Sequence, residues 1–492
     1  MNFSQARVRL VQVGAVFAAA VLVAGCGNNY RPVVTPVNPS GPAAQPESLA
    51  VVVTAPPPTA SGIPTPGIAT VIDYAGDSVL ATATIGPGPT AFTLDETGYN
   101  GFTINSDHTI TNIPVSSTLQ TKNVTYSTLS STAEPLNLFS PSSGLWATDL
   151  YGNYADVFTG GPATFLLAVP LLPTPVMVMG PGLRGTRYFA LSQNIASPTG
   201  LECNNSPNTQ PFGAVTPIEV ASYTTDTPIP TGKCPVYAVE SADGARLFVL
   251  NRGSDTITVV NSQFATLDAC TPFLNQAGQT VTCHPTLPLS TSAGLAQDAN
   301  NDVPAVAGPV YAEYNAARNL LVVADYTGNT ISVIDVSLDE YGNDSATFGT
   351  TYTIKVGQNP ASVTVLFDGS RAYTANQTDQ TVTIADLTSY TVEKTLAVSG
   401  YPRVVVSTQN SSYGKVYVGS PNSNFLTIIR TDQDIVDTTV LLQGDIVDVR
   451  VTTQNGSSVN SNNVSRIPGY GQPCNLPGAA SLVSLAACQK QP

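Results

Sequence analysis

The strongest constraint on the fold is a repeat with fixed internal spacing between residues 235 and 430. In three copies a proline precedes an Asn or Asp by the same interval: Pro235 to Asn251, Pro309 to Asp325 and Pro360 to Asn376. A looser fourth copy begins at Pro402, and Ser420 takes the place of the Asn or Asp. In all four, a second constant interval leads to another polar or charged residue, namely Asn261, Asp335, Asp386 and Arg430. The copies therefore share a register as well as a composition.

Each copy predicts three short strands joined by tight turns. Apolar runs alternate with Asp-Gly, Gly-Ser-Asp or Thr-Gly-Asn turns, which tolerate positive φ. One such unit cannot bury both faces of its sheet, so the units must stack. The steps from Asp325 to Asn376 and from Asn376 to Ser420 are close to the period of about 45 residues that is typical of four-stranded propeller blades. The much longer step from Asn251 to Asp325 predicts an insertion at 262–306.

The second strands resemble the YVTN family of β-propeller repeats. The matching stretches are Phe248-Val249-Leu250-Asn251, Val322-Val323-Ala324-Asp325, Tyr373-Thr374-Ala375-Asn376 and Tyr417-Val418-Gly419-Ser420. The resemblance extends over 235–430 and, more weakly, over 68–230. It implies an all-β propeller of four-stranded blades, of which the family commonly has seven. Inner strands predicted near residues 89, 135, 175, 236, 310, 361, 402 and 446 number eight, so seven or eight blades are expected.

The two ends of the repeat region predict how the ring closes. Val71-Ile72-Asp73 matches the end of a third strand, because the interval from Asp73 to Pro89 equals the interval from Asp386 to Pro402. The chain is expected to enter the ring at that third strand, and residues 446–451 are expected to supply an inner strand. Pairing of N- and C-terminal strands would then lock the ring. The propeller is predicted over 67–454, followed by a polar, cysteine-containing tail at 455–492.

The N-terminus has the features of a lipoprotein signal peptide. Arg7 and Arg9 precede an apolar stretch, Leu10–Val23, that is too short for a comfortable membrane span. Val23-Ala24-Gly25-Cys26 resembles a lipobox, which implies removal of residues 1–25 and acyl chains on Cys26. An ordinary signal peptide and a retained membrane anchor are the alternatives.

Residues 26–66 are rich in proline and are predicted to form a tether between the lipid and the propeller, with Ala50–Val53 as a candidate edge strand. The expected location is a bacterial membrane. Gly27, where some lipoproteins carry an aspartate that retains them in the inner membrane, favours the outer membrane. The domain is expected to face the periplasm or the cell surface.

Cysteine usage predicts disulfides. Without Cys26 the remaining number of cysteines is even, as expected for disulfides in an exported chain. The simplest connectivity pairs neighbours: Cys203–Cys234, Cys270–Cys283 and Cys474–Cys488. Buried free thiols are the alternative. A metal site is not expected, because the chain has no C-x-x-C and its histidines are His108 and His284.

Two segments imitate binding loops. Residues 180–185 (Gly-Pro-Gly-Leu-Arg-Gly) have the spacing of a dinucleotide loop, but a predicted strand follows them, so a hairpin turn is expected. Residues 298–302 begin like a calcium loop but lack its glycine and its final glutamate, which favours a solvated loop. His108 is expected in a turn, and His284, in the insertion, is the better candidate base. Asn251, Asp325 and Asn376 recur at one blade position and are expected to cap local backbone amides.

Composition narrows the function. Only 11% of residues are charged and the net charge is −14, which argues against nucleic acid and anionic lipid as partners. Few histidines and no evident acid cluster favour a binding or scaffold module without cofactor, catalytic or metal residues, whose partner is an envelope protein, glycan or small molecule. A propeller-type lyase or hydrolase and a structural subunit are the alternatives. Specific contacts are expected where blades differ, at 262–306 and 196–234.

Overall fold

The computed structural model describes residues 49–452 apart from gaps at 96, 131–132, 134, 142–143, 160–162, 181–185, 199–201, 276–277, 290–306 and 409–413. Within these residues no helix has both the length and the apolar character needed to cross a membrane. The short helices are α1, Glu202–Asn205, and two 3-10 turns at Thr121–Asn123 and Pro207–Thr209.

The rest of the regular structure is β-strand, in chain order β1 Leu49–Ala55, β2 Pro66–Asp73, β3 Val79–Pro87, β4 Pro89–Leu94, β5 Asn100–Asn105, β6 Thr109–Pro114, β7 Thr125–Thr128, β8 Pro135–Phe139, β9 Leu145–Asp149, β10 Tyr154–Thr159, β11 Thr164–Pro170, β12 Pro175–Met179, β13 Arg187–Ser192, β14 Phe212–Glu219, β15 Ile229–Lys233, β16 Pro235–Glu240, β17 Arg246–Asn251 and β18 Thr256–Asn261. The second half continues with β19 Thr266–Leu267, β20 Phe273–Leu274, β21 Thr280–Val281, β22 Thr286–Pro288, β23 Pro309–Asn315, β24 Leu320–Asp325, β25 Thr330–Asp335, β26 Thr351–Lys355, β27 Pro360–Val365, β28 Arg371–Asn376, β29 Thr381–Asp386, β30 Thr391–Ala397, β31 Val404–Ser407, β32 Lys415–Gly419, β33 Phe425–Arg430, β34 Ile435–Leu441 and β35 Asp445–Val451.

These strands form a β-propeller of eight four-stranded antiparallel blades, which resolves the choice between seven and eight. Blades 1 to 7 follow the chain, as β4–β7, β8–β11, β12–β15, β16–β19, β23–β26, β27–β30 and β31–β34. Blade 8 joins the C-terminal β35 to the N-terminal β1, β2 and β3, so the predicted pairing of the two chain ends is confirmed. All eight inner strands begin close to their predicted positions.

Strand direction gives the ring two distinct faces. We call the face where inner strands begin the upper face and the face where they end the lower face. Because the strands alternate in direction, the turns between inner and second strands and between third and outer strands lie on the lower face. The turns between second and third strands, and the links between blades, lie on the upper face.

Blade 8 starts earlier in the chain than the sequence predicts. The expected tether extends to residue 66, with only an edge strand at 50–53, and the chain is expected to enter at a third strand. Instead β1 is the second strand of blade 8, paired with β35 on one side and β2 on the other. Every residue of β1 is buried. Among the described residues the propeller therefore begins at Leu49. The prolines that suggested a tether lie just outside β1, where the backbone makes no ladder hydrogen bond.

The free edges of several inner strands are bonded by side chains from the preceding blade. Glu313 Oε2 accepts a hydrogen bond from Val365 N at 2.8 Å, and Ser362 Oγ accepts one from Val405 N at 3.2 Å. These inner-strand side chains are buried. They close blade against blade near the axis, which leaves the two faces and the outer rim as accessible surfaces.

Candidate functional site

Basic side chains on the lower face link consecutive blades from blade 3 to blade 8. The links are Arg187 to Gln263 O (3.2 Å), Arg246 to Asp344 (3.2 Å), Arg318 to Gly369 O (2.9 Å), Arg371 to Asp434, and Lys415 to Asp77 (2.5 Å). Four of the five are the first residue of a second strand. Sequence reasoning missed this role, although a basic residue at that position in the repeats was a usable signal. These five cations therefore have a structural role as links between blades, and they do not indicate a ligand site.

The link between blades 4 and 5 is the most elaborate. Arg246 Nη2 lies 3.2 Å from both Asp268 Oδ1 and Asp344 Oδ1. His284 Nδ1 lies 2.8 Å from Asp344 Oδ2, and the His284 backbone N–H donates to the same oxygen at 3.1 Å. The Asp344 side chain is fully buried, whereas that of His284 is 31% exposed and its ring stacks on Phe348. The cluster thus fastens the blade 4 insertion to the long lower loop of blade 5.

Electrostatics of the cluster centre on two neighbouring carboxyl groups. Burial raises the pKa of Asp268 to about 6, the Arg246 guanidinium opposes that rise, and the carboxyl of Asp344 adds to it. Two acids therefore depend on one guanidinium and nearby backbone donors for stabilisation in a buried place. The arrangement suits a structural link between blades 4 and 5. Within it, the exposed edge of His284 is accessible to a substrate.

The insertion itself is a clipped hairpin. Its β19 and β22 both pair with β18, while β20 and β21 form a separate hairpin. Cys270 and Cys283 form the predicted disulfide across it, and Asn275 Nδ2 lies 3.4 Å from Asp339 Oδ2 of blade 5. This support holds out Phe273 and Leu274, which are 42% and 68% exposed. The hairpin therefore presents apolar side chains to the surroundings of the lower face.

A second clipped segment lies on the upper face of blade 3. Cys203 and Cys234 form the second predicted disulfide, which ties α1 to the start of β16. Arg252 Nη1 donates to Asn204 Oδ1 at 2.8 Å, and burial lowers the pKa of Arg252 to about 10. The loop leads into β14 through Phe212, which is 61% exposed and lies under the Lys233 ammonium at 5.5 Å. An ordered loop with an exposed aromatic residue is a good binding surface.

The recurring polar residues of the second strands have a structural role, by a different contact than predicted. Asn376 Nδ2 donates to the hydroxyls of Thr381 (3.0 Å) and Thr383 (2.8 Å) on the third strand. Asn251 makes the same pair of bonds, and Asp325 accepts from Thr330 and Ser332. These side chains brace the third strand and do not cap local backbone amides.

The other sequence candidates divide between turns and undescribed residues. His108 lies in a turn, as predicted, with φ of +59° and Nδ1 2.9 Å from Ala133 O. Residues 181–185 lie outside the described residues; the flanking β12 and β13 pair antiparallel. Cys26, the calcium-like 298–302, and Cys474 and Cys488 also lie outside the described residues. Among the residues that are described, no group of His, Cys, Asp and Glu is placed to hold a metal ion.

No family model matches the chain. No curated protein matches it either. Among solved structures it is similar to two structures of AztD from Citrobacter koseri, the apo form with a TM-score of 0.53, 11% identity, and coverage of 84% of this chain and 99% of that one. The other AztD structure gives a TM-score of 0.53, 10% identity and the same coverage of 84% and 99%. A 6-phosphogluconolactonase-like protein of Bacteroides fragilis gives 0.49, 14% identity, and coverage of 84% and 99%. The likeness to AztD supports the β-propeller fold, and the YVTN assignment stays a prediction.

Proposed function

We propose that the chain is a lipid-anchored β-propeller of the bacterial cell envelope that binds a protein partner through the upper face of blade 3. The supporting observation is that the chain enters the ring on the opposite face. Leu49 opens β1 at the lower face, where its backbone N–H donates to Thr452 Oγ1 at 2.8 Å. A lipid on Cys26 would hold the protein from that side and leave the upper face directed away from the membrane.

The upper loop of blade 3 has the properties of a preorganised binding surface. Its disulfide and the bond from Arg252 to Asn204 hold the loop, and Lys233 Nζ donates to Asn208 O at 2.9 Å. A loop ordered before binding loses less conformational entropy on association. Phe212, exposed at its end, is the type of aromatic anchor that interfaces concentrate on.

Lipidation is tested first. Cys26→Ser should abolish incorporation of labelled palmitate, because one thiol carries the acyl chains. Cys474→Ser should leave incorporation unchanged and serves as the control. Palmitate incorporation into Cys26→Ser would contradict the anchor.

The binding face is tested by photo-crosslinking in intact cells. A photoreactive phenylalanine at position 212 should crosslink to one discrete envelope protein. Position 425 is the matched control, since Phe425 also opens a third strand on the upper face and is 42% exposed, but lies in blade 7. Equal products at both positions, or none at 212, would reject this face as the binding site.

A hydrolase is the second candidate, favoured by one observation. A histidine whose Nδ1 faces a buried carboxylate and whose ring reaches solvent is the arrangement of a general base, and His284 with Asp344 fits it. Asp344, however, is shared with Arg246. Under the binding proposal, cleavage of p-nitrophenyl acetate by wild type and His284→Gln should be equally close to background. A wild-type rate that His284→Gln removes would instead favour the hydrolase.

A further inference from the structure

We infer that the lower face of the propeller lies against a zwitterionic phospholipid surface and inserts its exposed aromatic and aliphatic side chains among the headgroups. The inference rests on the proposed anchor for orientation. It goes beyond it because an anchor alone requires no contact between the propeller and the membrane. The lower face would make a second, non-covalent contact.

The first argument is where the chain joins the ring. The segment from Gly27 to Ser48 lies between the lipidation site and Leu49. A segment of that length spans about 26 Å as a flexible coil and about 68 Å as an extended polyproline helix. In either state the attachment point is on the lower face, so that face is the first to meet the bilayer. The C-terminal strand also ends there, at Val451.

The second argument is the distribution of exposed apolar side chains. Six of them stand on lower-face turns or on the insertion hairpin: Tyr99 (72% exposed), Phe264 (73%), Phe273 (42%), Leu274 (68%), Tyr341 (43%) and Phe367 (57%). Five of the six are aromatic, the class that concentrates at membrane–water interfaces. They come from blades 1, 4, 5 and 6. A set spread over several blades matches an extended surface better than one compact partner.

The third argument selects the lipid. Most of the described lower-face cations are paired with acids or carbonyls, as Arg246 is with Asp344 and Lys415 with Asp77, whereas Lys122 on the blade 1 turn is exposed. Acids accompany the apolar residues in the sequence: Asp339 and Glu340 precede Tyr341, and Asp368 follows Phe367. This side therefore repels anionic headgroups and favours phosphatidylcholine or phosphatidylethanolamine surfaces.

Depth measurements on the lipidated protein in phosphatidylcholine bilayers test the contact. A nitroxide is attached through Phe273→Cys or, as the control, through Phe425→Cys; the two phenylalanines are equally exposed, at 42%, but lie on opposite faces. The label at 273 should collide mainly with oxygen, which dissolves in lipid, and the label at 425 mainly with a water-soluble nickel chelate. Water-accessible labels at both positions on bilayer-bound protein would overturn the inference while leaving the anchor intact.

Vesicle binding without the lipid gives an independent test. In a Cys26→Ser background, Phe273→Ser with Leu274→Ser should weaken partitioning onto phosphatidylcholine vesicles by about tenfold, because two apolar side chains lose their interfacial burial. Phe425→Ser with Leu441→Ser is the matched upper-face control and should leave it unchanged. Equimolar phosphatidylglycerol should weaken binding of the parent. Equal effects of the two double variants, or a protein crosslink at 273 with no vesicle binding, would overturn the inference.

Discussion

Replacing Asp325 by asparagine is expected to stabilise the propeller by about 2 to 4 kcal/mol at about pH 8. Asp325 is buried, and that burial raises its pKa to about 7, against hydrogen bonds from Ser332 and Thr330 that act to lower it. The folded protein therefore prefers the protonated acid. Stability from this group is complete below the ordinary pKa of 3.8, is lost as pH rises through about 7, and stays lost above. Asparagine removes this ionisation.

Two other blades already have asparagine at the position of Asp325. Asn251 and Asn376 occupy the same blade position, and each donates to two hydroxyls of its third strand. Asparagine at 325 can make the equivalent bonds to Thr330 and Ser332. Asn376→Asp is the reverse control and should destabilise at about pH 8 by a similar amount.

Denaturant unfolding between about pH 4 and pH 8 measures both variants. The advantage of Asp325→Asn should grow with pH and disappear near pH 4, where the wild-type acid is protonated. A gain of the same size at every pH would mean that packing, and not ionisation, explains it. A loss of stability at about pH 8 would show that hydrogen bonds stabilise the Asp325 carboxylate by more than its burial destabilises it.

The fold was predictable because the repeat spacing records a hairpin register. Pro235 and Asn251, which bound one of the constant intervals, are directly opposed on the inner and second strands of blade 4. The same opposition holds for Pro309 with Asp325, Pro360 with Asn376 and Pro89 with Asn105. A fixed spacing between a strand's first residue and its partner's last residue specifies the length of the hairpin. That is why inner strands could be placed closely from sequence.

The parts of the structure that could not be predicted lack this fixed spacing. The inner strand β35 has no opening proline and the second strand β1 has no closing Asn or Asp, so nothing marked Leu49–Ala55 as a second strand. The sequence indicated only part of the cluster around Asp344 on the lower face. It pointed to His284 within the insertion but not to Asp344. Arg246 and Asp344 are far apart in the chain and meet because their blades are neighbours. Burial of a carboxyl group by loops outside the repeat is a tertiary effect that local spacing does not encode.

Val52→Asp is expected to prevent a stable ring, at a cost above about 4 kcal/mol. Val52 is fully buried in β1, opposite Thr70 on one side and Val449 on the other. A carboxylate there would lie in an apolar cluster with Val404 and Tyr417 and would interrupt the one blade that joins both ends of the chain. Val79→Asp is the matched control: it lies in the outermost strand of the same blade, is 44% exposed, and should cost at most about 0.5 kcal/mol.

Because Val52→Asp can abolish folding, Val52→Ala provides a measurable value. Removing two buried methyl groups should cost about 2 kcal/mol, whereas Val79→Ala should cost almost nothing. The free energy of unfolding from denaturant titration gives both. If the other seven blades were stable without the pairing of β1 with β35, each Val52 variant would have the same free energy of unfolding as its Val79 counterpart. A large difference in one cooperative transition follows if β1 and β35 hold every blade in place, because opening blade 8 exposes the inter-blade faces on both sides of the break.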